Sequence, residues 1–255
     1  MGKIISIANQ KGGVGKTTTA VNLGASLAAS EKKTLVIDID PQGNATSGLG
    51  LKKEEENIYH VLIGEKNIQQ MIKQTKVKNL YAVTSNTNLI GAEVELINEI
   101  AREKKLYTAL IPIKNDYQYI LIDCPPSLGL LTINSLSASD SVLIPLQCEY
   151  YALEGLGNLL KTIRLIKNHI NSSLTIEGIL LTMFDSRNNL SHQVAQEIYK
   201  HFKNKVFRTI IPRNIRLSEA PSFGKPALLY DINSKGTISY LNLAKELILK
   251  NGRNK

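Results

Sequence analysis

Lys3-Ile4-Ile5-Ser6-Ile7-Ala8-Asn9-Gln10-Lys11-Gly12-Gly13-Val14-Gly15-Lys16-Thr17-Thr18 is an apolar run, a glycine-rich turn and the start of a helical stretch. That order suits a loop that holds phosphate. Glycines let successive backbone N–H groups converge on phosphate oxygens, and the N-terminus of the following helix adds a partial positive charge. Gly12, Gly13, Val14, Gly15, Lys16, Thr17 and Thr18 are the candidate nucleotide contacts. Lys16 can reach the β- and γ-phosphates, and the Thr17 hydroxyl can ligate Mg²⁺. A dinucleotide fold competes, because Gly13-x-Gly15 follows a strand and Asp38 ends the next one, where a ribose-binding acid would lie. Its third glycine is replaced by Thr18, however, and a Lys-Thr pair after Gly15 suits a triphosphate.

Two acidic stations lie further along. In Asp38-Ile39-Asp40-Pro41-Gln42-Gly43-Asn44, carboxylates two residues apart face one side of an extended chain. Asp40 is the better candidate to orient an attacking water or sense a γ-phosphate, and Asp38 reads instead as a structural acid near the lysine or metal. Tyr119-Ile120-Leu121-Ile122-Asp123 is an apolar strand that ends in an acid. Asp123 fits a carboxylate that holds Mg²⁺ directly or through water. Thr17, Asp40 and Asp123 are the candidate magnesium ligands. Phosphoryl transfer needs mostly positioning and charge neutralisation. Lys11, Lys16 and Asp40 are the candidate catalytic residues, and the absence of a strong general base points to slow hydrolysis.

Outward from these motifs, strand-like runs alternate with helix-like ones. Lys3–Ala8, Thr34–Ile39, Asn79–Thr84, Tyr117–Asp123, Ser141–Leu146, Ile176–Phe184 and Val206–Ile211 read as strands, several apolar throughout. Thr17–Ala29, Ala92–Lys104, Leu130–Ser137, Leu153–Asn168, Ser191–Phe202 and Ser239–Leu249 read as helices. The alternation predicts an α/β fold, a doubly wound, mostly parallel sheet with helices on both faces. Hydrophobic content of 43% supports a large core, and aromatics at 5% leave it to Ile, Leu, Val and Ala. No linker or repeat interrupts the 255 residues, so 1–255 reads as a single domain.

Charge divides the chain unevenly. Residues 1–150 carry 15 basic and 15 acidic side chains, whereas residues 151–255 carry 16 and 7, so the net +9 lies in the C-terminal part. A surface of that sign attracts phosphate backbones or anionic lipid. Cys124 and Cys148 have no disulfide or metal-ligand spacing, and the N-terminal apolar run is too short for a signal peptide. A cytoplasmic protein is expected.

Gln10 stands where the general phosphate-loop pattern wants glycine, and Lys11 follows it. An extra lysine there resembles that of the deviant-Walker ATPases, the group of ParA, MinD and the nitrogenase iron protein. Asn9 to Thr18, Asp38 to Asn44, Asp123-Cys124-Pro125-Pro126-Ser127-Leu128-Gly129, Glu149-Tyr150-Tyr151-Ala152-Leu153-Glu154-Gly155 and Pro212 to Ser222 are similar to the chromosomal ParA/Soj branch. The resemblance covers nearly the whole chain. It implies an ATP- and Mg²⁺-dependent ATPase in which Lys11 reaches the partner subunit's nucleotide in an ATP-bound sandwich homodimer. It also implies non-specific binding of double-stranded DNA by the dimer, stimulation of hydrolysis by a ParB-type partner, nucleoid association, and a role in chromosome or plasmid partitioning. Pro212 and Asn214 correspond to adenine-flanking positions, and Arg187 and Arg216 to DNA-contacting arginines.

Three other classes fit less well. A MinD-like switch needs a basic amphipathic tail, but Ser239–Leu249 reads as a final core helix, so no stable membrane anchor is expected. An iron–sulfur carrier needs cluster cysteines, and Cys148 lies in a different string from the family's cluster ligands. A repressor with an N-terminal helix-turn-helix is not expected where only Met1 and Gly2 precede the first strand.

Overall fold

The computed structural model describes residues 2–149 and 152–252; Met1, Tyr150, Tyr151 and the tail Arg253-Asn254-Lys255 lie outside the described residues. The opening apolar run is strand β1 (Lys3–Ile7), which lies inside the sheet between β5 (Tyr119–Asp123) and β6 (Ser141–Gln147). β2 (Thr34–Asp38) and β4 (Leu80–Val83) continue beyond β5, and β7 (Thr175–Thr182) flanks β6. These strands all pair in parallel. The sheet order is β3-β4-β2-β5-β1-β6-β7, with β3 (Ile72–Gln74) antiparallel to β4. The chain therefore winds to one side of β1 and then to the other. The carboxyl ends of β1 and its neighbours border the crevice where such sheets bind ligands.

Alternation within each strand builds two cores. Ile4, Leu35, Ile37, Ile120, Ile122, Val142 and Ile144 face one, and Ile5, Ile7, Val36, Leu121 and Leu143 face the other. The second is covered by α1 (Lys16–Ala29) and α12 (Lys235–Gly252), through Ala20, Leu23, Leu27, Leu243 and Leu247. Gly24 lets α1 approach the sheet: a Cβ there would stand 2.8 Å from Val36 Cγ2. The first core is covered by α3 (Ile58–Leu62), α6 (Lys105–Leu110), α7 (Leu130–Ala138), α8 (Ala152–His169) and α9 (Asn189–Phe202). Shorter helices occupy the connections: α2 (Asn44–Gly48), α4 (Ile68–Met71), α5 (Leu89–Glu95), α10 (Ile215–Glu219) and α11 (Ala227–Tyr230).

The sequence reading misses the short helices α2, α3, α4, α10 and α11 and departs from this fold in three further places. Val206–Ile211 is not a continuous strand: it meets β7 only at its two ends among the described residues, through the Ile179–Val206 bridge and through the Ile211 N–H on the Leu181 carbonyl at 2.9 Å, with a second bridge at Phe184–Pro212. Between them the backbone N–H groups of Arg208 and Thr209 donate to the Glu246 carboxylate on α12, so a side chain replaces a ladder partner. The expected helix Ala92–Lys104 is broken. α5 stops at Glu95, a 3₁₀ turn follows, and Ala101 turns the chain at φ 54° before α6 begins. Its apolar residues at helical spacing, Val94, Ile97 and Ile100, are exposed, so burial does not hold one continuous helix there. Strand β3, with three residues, is too short for its periodicity to register in the sequence.

Candidate nucleotide site

The loop between β1 and α1 carries the site. Gly13 and Gly15 adopt φ of 72° and 89°, in the left-handed region that favours glycine. Gly15 is the N-cap of α1 and has no side chain to satisfy the first N–H groups of the helix. Those donors remain available to an anion. Thr182, at the end of β7, donates its hydroxyl to the Val14 carbonyl at 2.8 Å and braces the loop from the neighbouring strand end.

Lys16 opens α1 and is 6% exposed. Its ammonium donates to the Lys11 carbonyl at 3.0 Å. Burial lowers its pKa, and the charges of Asp123, Cys124 and Asp40 oppose that shift. Lys16 therefore sits in the field of both predicted acidic stations. Asp123 ends β5 in register with Asp38 at the end of β2, so the two carboxylates are side by side at the sheet edge. Burial raises the pKa of Asp123 well above 3.8, with the charge of Asp38 as the next cause. The Thr17 hydroxyl and Lys16 act in the opposite direction.

Among the described residues neither carboxylate oxygen of Asp123 makes a well-formed hydrogen bond, the nearby Thr17 hydroxyl included, although the residue is wholly buried. A buried acid left this way is costly unless a cation completes it. This donor set fits Mg²⁺, which takes one or two carboxylates and completes its shell with hydroxyl, water and phosphate oxygens. Among the described residues no cluster of three His, Cys, Asp or Glu side chains could hold a metal by itself.

The structure distinguishes the two acids that follow β2. Asp38 is satisfied internally: its Oδ2 accepts from the Thr46 N–H and hydroxyl, both at 2.8 Å, and its Oδ1 from the Asp40 N–H at 3.2 Å. Through Thr46 it anchors α2. Burial pushes its carboxyl up to about 6 against those hydrogen bonds. Asp40 lies beyond the strand and is 6% exposed. It accepts only from the Gln42 N–H, at 2.9 Å through Oδ1, so Oδ2 has no partner among the described residues.

A cavity of about 580 Å³ opens beside the loop, lined by Gly15, Thr18, Met183, Pro212, Asn214 and Tyr240 among others. That volume suits a nucleotide base and sugar. The predicted Pro212 and Asn214 are therefore at its wall. Asn214 also accepts from the Leu217 N–H at 3.3 Å and caps α10, so its structural role coexists with the predicted one. Met183 and Tyr240 were missed in the sequence. Met183 at φ 47° is a non-glycine residue in the left-handed region, which no composition reveals. Tyr240 comes from the far end of the chain and meets Thr19 at 3.1 Å between hydroxyls.

Lys11 lies at the loop entrance, with its ammonium 2.6 Å from the Glu149 carboxylate. Arg187 and Arg216 come to one end of the sheet because the Phe184–Pro212 bridge brings their segments together. Each is paired within the chain: Arg187 with Asp185 at 2.9 Å, and Arg216 with Glu219 at 2.9 Å and Asp231 at 3.2 Å. Both cysteines are buried free thiols. No helix among the described residues is long and apolar enough to cross a membrane.

A family model described as an AAA domain matches residues 2–176. The chain is 59% identical to the sporulation initiation inhibitor protein Soj of Bacillus subtilis, over 97% of this chain and 98% of that one. It belongs to the Soj/ParA family of P-loop ATPases. The chromosome-partitioning ATPase Soj of Treponema pallidum is 50% identical over 99% of this chain and all of its own. Among solved structures, cobyrinic acid a,c-diamide synthase of Mycobacterium smegmatis, with bound ATP analogue and magnesium, is 33% identical. It superposes with a TM-score of 0.88 over 100% of this chain and 98% of that one. These matches span essentially the full length of Soj/ParA relatives, so the loop, the acidic stations and the basic C-terminal part all lie inside the shared region.

Proposed function

We propose that this Soj/ParA-family chain is a DNA-partitioning ATPase, in which ATP and Mg²⁺ drive a sandwich homodimer that binds DNA without sequence preference. A ParB-type partner accelerates a slow hydrolysis that releases the DNA. The observation that carries the reading is Lys11: a lysine at the loop entrance, beside a complete phosphate loop, whose side chain lies at the protein surface. In the proposed dimer it meets a second subunit's nucleotide. Gly12 to Thr18 cradle the phosphates, Lys16 neutralises the β- and γ-oxygens, Thr17 and Asp123 would hold Mg²⁺, and Asp40 positions water. Bound Mg²⁺ would neutralise charge on the phosphates. The backbone N–H groups of the loop and Lys16 would hold the γ-phosphoryl group, and Asp40 Oδ2 would accept a hydrogen bond from the attacking water. With no buried His or Glu at hand as a base, turnover by the isolated protein is slow, and a cation from outside is worth roughly 10³–10⁵ in rate.

The DNA arm of the reading rests on Arg187 and Arg216 on one edge of a C-terminal part that carries the whole net charge. Phosphate-only contacts give Kd on the order of 10⁻⁴–10⁻⁶ M with steep salt dependence, and a dimer doubles the contacts. Such a switch places the ATP form on the nucleoid. The test is DNA binding against salt with ATP, ADP and no nucleotide, for wild type and Lys11→Ala. ATP-dependent binding that Lys11→Ala abolishes is the expected result; binding indifferent to nucleotide refutes the switch.

A further inference from the structure

Lys11 is not idle in the single chain. Its ammonium is 2.6 Å from the Glu149 carboxylate, which stands just beyond the end of β6. The contact is set by the backbone on both sides. Asn9 donates from its amide to the Pro145 carbonyl of β6 at 2.7 Å, and its side-chain oxygen accepts from the Lys11 N–H at 3.0 Å. Glu149 is held by its own N–H to the Gln147 carbonyl at 2.9 Å, and its carbonyl accepts from the Ala152 N–H at the start of α8. Two neighbouring strand ends therefore present Lys11 and Glu149 to each other. The Lys11 carbonyl in turn accepts from the Lys16 ammonium. A triphosphate that draws Lys16 to its own oxygens removes that donor and changes the seat of Lys11.

We propose that Glu149 is a positioning residue for Lys11, an intramolecular latch that holds this lysine in its own subunit until nucleotide and a second copy of the chain compete for it. The inference rests on the reading of Lys11 as a dimer contact. A lysine cannot serve its own Glu149 and a partner's phosphates together, so each subunit entering a dimer breaks one such pair. Both side chains are about half exposed, at 40% and 45%. Exposed pairs of this kind shift an equilibrium by at most about fivefold. Two are lost per dimer, so the latch raises the dimer dissociation constant by up to about 25-fold. Its consequence is to suppress dimers at low occupancy by triphosphate.

The experiment measures the dimer dissociation constant by sedimentation with Mg²⁺ and a non-hydrolysable ATP analogue, for wild type, Glu149→Gln and Glu149→Asp. The latch predicts tighter dimers in Glu149→Gln, by about two- to 25-fold. Glu149→Asp, one methylene shorter, should fall between, and it carries the test if the first variant does not fold. A purely structural role for Glu149 would weaken dimers or leave them alone. Unchanged or weaker dimers in the variants, beside a wild type that dimerises, overturn the latch and leave the proposed function standing. A wild type that stays monomeric with the analogue overturns both.

Discussion

Replacing Asp123 by Asn separates what this acid costs the empty fold from what it contributes with metal. Among the described residues both oxygens are buried without partners, beside Asp38 in the adjoining strand. The pKa is raised, so the sign is set. The stability linked to this group is fully present below its unfolded value of 3.8 and is lost as pH rises through the higher folded value. Metal-free wild type therefore loses stability toward alkaline pH, and Asp123→Asn loses less. A buried acceptor left unsatisfied costs about 1–3 kcal/mol, and more when charged. Taking about 2 kcal/mol, and a shift of roughly 2–4 °C per kcal/mol for a chain of this length, the variant should melt about 4–8 °C higher at pH 8 without Mg²⁺. Its advantage shrinks toward pH 5. With Mg²⁺ and ATP at about 100 times Kd, wild type gains about 2.7 kcal/mol, and the variant clearly less. Thermal melts over pH 5 to 8, with and without Mg²⁺–nucleotide, read all of this. A variant that melts lower than wild type at pH 8 without metal refutes the reasoning. So does one that gains as much from Mg²⁺–nucleotide.

Three further outcomes follow from the same geometry. Arg216→Ala should weaken DNA binding and lower the salt slope by about one, with nucleotide affinity unchanged, in a fluorescence-anisotropy titration over salt; an unchanged slope removes Arg216 from the interface. Asp185, whose carboxyl Arg187 holds down at about 2, competes with DNA phosphate for that guanidinium; Asp185→Asn should therefore raise DNA affinity by about two- to fivefold at low salt, and weaker binding would contradict the competition. Tyr240→Phe removes the buried hydroxyl contact to Thr19, one turn into α1, and should lower stability by about 1 kcal/mol in urea denaturation with the m-value unchanged. A neutral result there would mean that Thr19 finds another partner.

Much of this protein was legible in its sequence because the decisive interactions are local. A phosphate loop is one turn whose backbone angles are set by Gly13 and Gly15, and an acid that ends an apolar strand is brought to the sheet edge by the strand itself. Strand identity followed for the same reason: β1, β2 and β5 are buried on both faces and mostly apolar. Other features depend on partners distant in the chain. That Asp38 serves α2 and Asp123 stands unpartnered is settled by strand register and by Thr46, not by the two Asp-ending strings themselves. The failed strand at 206–211 turned on Glu246, some 40 residues away on α12, and the broken helix at 92–104 on Ala101 and a surface left unburied. Lys11 shows the division most sharply. Its place beside Gly12 marked it from the sequence. Only the adjacency of β1 and β6 put Glu149 within reach, because a carboxylate 138 residues away is brought to that lysine by the sheet alone.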